Sequence, residues 1–566
     1  MRLLKILLFV SAVLFLFFFM TSRIPLWSSD EGRYGELARS IYDRGDLAVT
    51  QFNGMDYLEK PVLAPILTAG AYALFGVSSF SARFVSIISA LAGIWVCWLF
   101  VRRLWNRPLA DLSALILATS VGYVLVGRFA VIDMLMTFLM SSSILFMMTA
   151  YFEKRRGFYL AAYALMGFAF LTKGLIAFVL PGLIFLVFLI CVKDLGEILR
   201  MKLVMGAIII TAIILPWILA VSRREPEFFE VFIVKHHLQR FATNTFGRAK
   251  PVWFYVPILF ATFFPWSLFL FSAVMRAVRT RGEAHASKLK FLLVWAGVIF
   301  VFFSFPRAKL PYYLLPLSMP LAILLAHFFE AARAKITDQE AIEKRAAEWS
   351  WKAAASSGAL LFLVLNPVLY FLRQDPEIDA LRPLAFIGTA LIMTGMAGVY
   401  RTYRSGKLVR AVGMLGGLTY LTLIFAVIGM KIISPYQSTH AFAEVLRGQL
   451  RPEDRVAVYS SPDHFSDFMF HLQRRVIVVG SDRGTLTEES AEPDHKEESQ
   501  LWFFEDQHLV REFKNPSGRF YLLLDEDNLP KLESYGIAPY RMLLHEGRKI
   551  LISNETSLAP VLKGAS

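Results

Sequence analysis

Three acids and an arginine, Asp30, Glu31, Glu36 and Arg33, fall within two helical turns of residues 28–61 (SSDEGRYGELARSIYDRGDLAVTQFNGMDYLEKP), and Glu59-Lys60 closes that stretch. An apolar run ends near Ile24, just upstream, so these charges sit where a membrane helix meets water. Ionisable groups in that position mark a functional site by default. Asp30 shares a helical face with Arg33 and Tyr34 at i+3 and i+4 spacing, and a carboxylate so placed can orient an acceptor or help remove its proton. The competing reading is local: Ser28-x-x-Glu31 fits a capping box for a helix that runs to Arg44 and closes at Gly45. A cap accounts for Glu31 better than for Asp30. Tyr57, Glu59 and Lys60 stand before Pro61, where a helix start leaves N–H groups available and a lysine adds a point charge, a fit for an anionic lipid head. The alternative is a lysine reaching toward headgroups.

Further along, Asp133 lies in RFAVIDMLMTFLM at the outer end of an apolar run, where an unpaired carboxylate costs several kcal/mol. Arg128 is the partner expected from the sequence, either as a clamp or as part of a two-carboxylate site with Asp30. Lys173, between two apolar runs, and Arg307 and Lys309 in FPRAKLPYY place cations on the same face, with the Tyr312 and Tyr313 hydroxyls beside them. They read as a phosphate cradle or as single interface anchors. KHHLQRF brings His236, His237 and Arg240. Two adjacent histidines do not share a metal on one helical face, but His237 with Glu59 offers an imidazole and a carboxylate to a divalent ion, against the reading of a satisfied loop histidine.

The elements that must position these residues are mostly transmembrane. Of the 566 residues, 56% are hydrophobic and only 18% charged, against about 25% charged in soluble domains, and the mean hydropathy is +0.52. The net charge of +14 would suit nucleic acid, but Lys and Arg cluster in short segments between apolar runs, as the positive-inside rule predicts; topology explains it and no nucleic-acid partner is expected. Runs able to cross a core about 30 Å thick predict about thirteen spans in a membrane domain over 1–431. The first run, 3–24, is too long for a signal peptide and lacks a cleavage site. Residues 61–77 carry Pro61 and Pro65 and are short for a span; reading them as interfacial or re-entrant puts the basic segments inside. The same parity puts the loops 25–79 and 221–252, with Asp133, Lys173 and Lys309, outside. After 432 short β-rich runs at 455–459, 475–479, 519–524 and 549–552 predict a soluble α/β domain over 432–566 on the outer face, with 481–500 as a loop. That domain has no phosphate loop or nucleophile elbow, so the sequence assigns it no chemistry. Cys97 and Cys191 lie in apolar runs and read as packing residues.

The run WSSDEGRYGELARSIYDRGDLAV, followed in order by YLEKP, FAVID, TKG, LPW, REPEFFEVF, HLQRFA, KPVWFYVP and AKLPYYLLPLSMPLAILLAH, resembles bacterial 4-amino-4-deoxy-L-arabinose lipid A transferases and the wider protein O-mannosyltransferase-like GT-C glycosyltransferases. The resemblance covers about 27–330. It implies a polyprenyl-phosphate sugar donor, lipid A as acceptor, and a multi-pass protein of the bacterial inner membrane with its site on the periplasmic side. Carried onto matching positions, it makes Asp30 the acid-base or acceptor-orienting residue with Asp133 its partner. Lys60 and Arg240 become ligands of the lipid-linked phosphate, Lys173, Lys309 and Arg33 further phosphate contacts, and Tyr34, Tyr57 and Tyr313 pocket walls. Glu59 and His237 resemble a pair at a divalent ion, although Lys235 and His236 stand where the family carries an acidic residue before the histidine. Related enzymes moving other sugars to protein hydroxyls or other glycans share the DE and EKP motifs. A transporter of a lipid-linked sugar is the alternative from another class; it fits less well, because the polar residues gather at one face and no internal repeat is present.

Overall fold

The computed structural model describes residues 2–225, 228, 232, 250–280, 285–333, 341–487, 496–514 and 518–555. Among them eight helices are long and apolar enough to cross a bilayer, or ten if each of two bent pairs is one span. The shorter apolar helices Leu3–Phe18, Gly157–Lys173 and Ile176–Val192 bring the tally to the thirteen expected. Leu63–Phe75 has 13 residues, about 20 Å of helix, too short for the hydrocarbon core. It packs instead between the Asp30–Arg44 and Ser79–Leu104 helices.

Two expected continuous spans are broken. Arg107–Ala118 and Val121–Gly127 meet at 64°, and Val252–Thr262 and Trp266–Arg279 at 110°. At the first break the Thr119 and Ser120 hydroxyls donate back to the carbonyls of Leu115 and Ile116 (2.7 Å each), a local bond that competes with helix continuation. At the second, Pro265 has no N–H to give. The breaks are joined to each other, since Trp266 Nε1 donates to Thr119 Oγ1 at 3.1 Å.

The helix that carries the acids, Asp30–Arg44, has Asp30 and Glu31 in its first turn and Arg44 in its last, each at the favourable end of the dipole. Gly45 ends it in the left-handed region at φ 69°, where glycine has no Cβ to clash. A hairpin follows, β1 (Thr50–Phe52) against β2 (Met55–Tyr57), with Phe52 paired to Met55 across Asn53-Gly54. Asn53 and Gly54 both have positive φ, as a two-residue hairpin turn requires.

The last long helix runs Leu408–Gln437, and a six-stranded sheet follows. Its strands are β3 (Arg455–Tyr459), β4 (Ile477–Val479), β5 (Phe503–Phe504), β6 (Phe520–Asp525), β7 (Arg541–Glu546) and β8 (Lys549–Ser553). Their order is β5-β4-β3-β6-β8-β7, parallel through β6 and antiparallel at β8 and β7. Four strands match the expected runs to within two residues; β5 and β7 were not expected. Side chains alternate between two faces. Ala457, Val479, Leu522 and Ile552 pack under one set of the domain's own helices, whereas Val456, Val478, Tyr521 and Leu551 share a core with Phe442, Leu446, Phe468 and Met469 of the domain and with Leu37, Phe52, Met55 and Tyr57 of the first loop.

That shared core needs a close approach. A Cβ on Gly32 would fall 2.2 Å from the Asp467 backbone nitrogen and 2.5 Å from its Cα. Backbone cannot give way as a flexible side-chain tip can, so Gly32→Ala pushes the Asp30–Arg44 helix off the Ser466–Leu472 helix. Overpacking of this kind costs about 1–3 kcal/mol. The variant is expected to unfold at lower temperature in detergent and to release the C-terminal domain faster under limited proteolysis. Gly70→Ala, whose Cβ meets nothing within 4 Å, should leave both unchanged.

Candidate active site

Glu31, which the capping-box reading assigns to its own helix end, is instead buried at 3% exposure and faces away from it. Its carboxylate takes both Arg83 Nε and Nη2 at 2.7 Å, the Ala130 amide at 2.8 Å and the Trp27 amide at 3.2 Å. Arg83, from the Ser79–Leu104 helix, donates onward to the carbonyls of Thr21 (3.2 Å), Ile24 (2.6 Å) and Pro25 (2.9 Å). Ser29, the N-cap residue, makes no side-chain cap and sits at φ 70°, ψ −109°, a sparsely populated conformation of the kind found at functional sites. Its carbonyl accepts from the Arg33 amide (3.1 Å) and from Ser466 Oγ (2.7 Å).

With its helix start fixed, Asp30 turns its carboxylate between two donors: Arg33 Nη2 on one oxygen and the Tyr312 hydroxyl on the other. Arg33 is nearly buried and its second terminal nitrogen reaches Asp463 of the C-terminal domain at 3.0 Å. Burial works against the guanidinium charge, yet Tyr57, Asp30, Tyr34 and Asp463 together hold its pKa above the ordinary arginine value. Burial also pushes the Tyr34 and Tyr57 phenols up, so both stay protonated near neutral pH.

Asp133 pairs with Lys173, not with Arg128. The expected partner is spent elsewhere, because Arg128 donates to the carbonyls of Leu16, Phe17 and Phe19 at the end of the first helix. Lys173 stands at the C-terminal end of Gly157–Lys173, where the dipole favours a cation. Its ammonium lies 4.7 Å from the Tyr313 ring centre and 6.0 Å from that of Tyr312. Asp133–Lys173, Tyr312, Asp30, Arg33 and Asp463 thus form one chain of contacts.

Tyr57 is 2% exposed, in the core shared with the C-terminal domain, and its hydroxyl donates to Glu59 at 3.4 Å. Lys60 lies 3.5 Å from the Glu59 carboxylate. Tyr34, with the Arg33 guanidinium 5.5 Å from its ring centre, feels Asp30, Asp133 and Glu59 as well, so three separate stretches of sequence converge around it. Lys309 is also buried, but its ammonium donates to the carbonyls of Lys250 (3.1 Å) and Pro306 (2.5 Å), pinning its own loop. Arg240, His236 and His237 lie outside the described residues. Of the pair suggested for a divalent ion the described residues supply Glu59, already in contact with Tyr57 and Lys60, and among them no three His, Cys, Asp or Glu side chains are grouped to hold a metal. The sequence reading missed Arg83, whose lone charge inside SFSARFVSIISALAG was a signal, and Asp463, which carried none.

The whole chain superposes on AglB, an oligosaccharyltransferase of Archaeoglobus fulgidus, with a TM-score of 0.50 at 12% identity, covering 98% of this chain and 74% of the other. That likeness is one of fold, and the fold is that of a polytopic GT-C glycosyltransferase with a small C-terminal α/β domain. A family model described as dolichyl-phosphate-mannose-protein mannosyltransferase matches residues 59–219. Undecaprenyl phosphate-alpha-4-amino-4-deoxy-L-arabinose arabinosyl transferase 1 of Pseudomonas fluorescens is 35% identical over 308 residues, 53% of either chain, so that match spans about half of the relative's length. The enzyme of that name from Yersinia pestis is 30% identical over 514 residues, 86% of this chain and 88% of the relative. ArnT from Cupriavidus metallidurans, crystallised with undecaprenyl phosphate, superposes with a TM-score of 0.85 at 26% identity over 98% of this chain and 99% of that one. The chain belongs to the undecaprenyl phosphate-aminoarabinose arabinosyl transferase family of membrane glycosyltransferases.

The Glu31–Arg83 pair tests how the site is held. Arg83→Met keeps most of the side-chain volume and leaves Glu31 buried without its cation, a change that costs about 3–5 kcal/mol. It is expected to lower the unfolding midpoint in detergent markedly, whereas Arg103→Met, which removes an exposed pair with Glu153, should shift it little.

Proposed function

We propose that this protein transfers 4-amino-4-deoxy-L-arabinose from undecaprenyl phosphate to lipid A at the periplasmic face of the bacterial inner membrane, with inversion at the sugar. The observation that carries the reading is the placement of Asp30, held between Arg33 and Tyr312, the latter of which also lines an apolar cleft. That cleft, about 100 Å³, lies between the two broken spans and is lined by Gly122, Val126, Leu259, Phe263, Leu315 and Tyr312. Its apolar lining suits a segment of an isoprenoid chain, and Tyr312 joins it to the charged network. The names of the relatives support the donor, and the motif resemblance supports lipid A as acceptor.

In this reading an acceptor oxygen attacks the anomeric carbon from the face opposite the phosphate. The carbon–oxygen bond to the carrier breaks, and its electron pair leaves with undecaprenyl phosphate. A lipid A phosphate is anionic at neutral pH, so it needs orientation more than deprotonation; Asp30, kept in one rotamer by its two donors, orients it. Lys60 and Lys173, with Arg33, stabilise the charge that develops on the departing phosphate. Arg240 is assigned the same task from the resemblance.

Purified protein in detergent, given the polyprenyl-phosphate sugar and lipid A, is expected to form modified lipid A. Asp30→Asn should lower kcat by about 100-fold or more, the loss typical of a misplaced reacting group, while undecaprenyl phosphate still binds. Turnover indifferent to Asp30, or lipid A of unchanged mass in cells carrying the protein, contradicts the proposal; sugar found on a protein hydroxyl would redirect it to another acceptor.

A further inference from the structure

The C-terminal domain, to which the sequence assigns no chemistry, reaches the site at one point. Asp463 Oδ1 accepts from Arg33 Nη1 at 3.0 Å and from Thr485 Oγ1 at 2.9 Å, and Asp463 Oδ2 accepts from the Thr485 amide at 2.9 Å. The carboxylate is thus fixed by its own domain before it meets Arg33. The turn that presents Thr485 holds Gly484 at φ +54°, a conformation L side chains rarely adopt, and a Cβ there would press on Asp463 Oδ2 at 2.5 Å and Ser461 Oγ at 2.4 Å. Close by, Ser466 holds the strained Ser29 carbonyl, Asp467 accepts from Ser28 Oγ at 2.5 Å, and Asn53 exchanges two 2.9 Å bonds with the Val476 backbone. The domain is locked to the helix start on both sides of Arg33.

We infer that Asp463 is a positioning residue of the active site, acting through Arg33 to hold Asp30 in its working orientation, and that the C-terminal domain is therefore a component of the transfer machinery. The geometry supports this over a purely structural pair. Arg33 is a rigid planar fork whose two terminal nitrogens are divided, one to Asp30 and one to Asp463. Remove the second anchor and the guanidinium is free to swing with Asp30 attached. A displacement of about 1 Å at a reacting group is enough to cost 100-fold in rate.

The inference rests on the reaction proposed above, and its test separates the two. Wild-type protein and Asp30→Asn establish whether the reaction occurs; no product from wild type counts against the reaction, not against the pairing. Asp463→Asn retains one acceptor for Arg33 or Thr485 but loses the charge, and is expected to lower kcat about tenfold with KM for the lipid donor within twofold. Asp463→Glu should restore much of the rate. In an Arg33→Lys background, where the divided fork is gone, Asp463→Asn should cost little more, since residues acting through each other are non-additive. Full activity in Asp463→Asn, or an undiminished tenfold loss on top of Arg33→Lys, overturns the inference. Hydrogen exchange over residues 28–36 of the full-length protein needs no substrate: Asp463→Asn should speed it and Asp463→Glu should not, and an unchanged rate in Asp463→Asn overturns the inference equally.

Discussion

The relative position of Asp30 and Asp133 depends on one buried ion pair. Glu31 and Arg83 are 3% and 2% exposed, and removing two such charges from water costs several kcal/mol per ion. The cost is offset because nearly every polar atom is used. Glu31 takes the guanidinium and two backbone amides, and Arg83 takes three carbonyls at the end of the first membrane helix. The pair therefore ties four pieces of chain: the end of the first helix, the start of the Asp30–Arg44 helix, the Ser79–Leu104 helix, and the turn at Ala130 that precedes Asp133. A neutral substitute of the same shape could fill the space but could not set the register among them. Asp30 is the residue immediately before Glu31, so the direction in which Glu31 is buried fixes the direction in which Asp30 faces out.

Much of this was legible in the sequence, and the reasons differ by residue. Apolar length predicted the spans, because the bilayer imposes one dimension on all of them. Asp30, Asp133, Lys173 and Lys60 stood out because charge beside an apolar run is costly enough to require a purpose. Pairings were less accessible. Arg128 is five residues from Asp133 and looked like its partner, but helix ends compete for the same cations, and the carbonyls of residues 16–19 took it. Lys173 is 40 residues away, and only helix packing brings it near. Glu31 satisfied a capping pattern that the fold did not use, since the buried Arg83 outcompetes one exposed N–H. The Asn53-Gly54 turn was a local signal that sequence reasoning passed over. Asp463 had no local signal, because its role comes from a contact 430 residues away.

The pairing of the site residues also bears on how an anion would be received. Arg33, Lys60 and Lys173 each lie against a carboxylate. A phosphate bound there, as proposed, would not meet free cations; it would meet cations whose positions are already set and share them. Preorganised donors cost little reorganisation when charge develops, which favours stabilising the departing phosphate over trapping any passing anion.

The same economy explains why a soluble domain is built onto the membrane body. The inner face of its sheet is apolar, with Val456, Val478, Tyr521 and Leu551 buried, and such a face must be covered. Its cover comes partly from the domain's own Phe442, Leu446, Phe468, Met469 and Leu472 and partly from Leu37, Phe52, Met55 and Tyr57 of the first loop. Without the sheet those four side chains would lose much of their cover, and without the loop one part of the sheet's core would lie open. The first loop and the domain thus contribute to one core, and the Asp30–Arg44 helix, which carries Leu37 on one face and Asp30 and Arg33 at its start, is the element they share. Hydrophobic packing of the domain and orientation of the acids are thus two consequences of how one helix is seated, so the site cannot be assembled from the membrane-spanning helices alone.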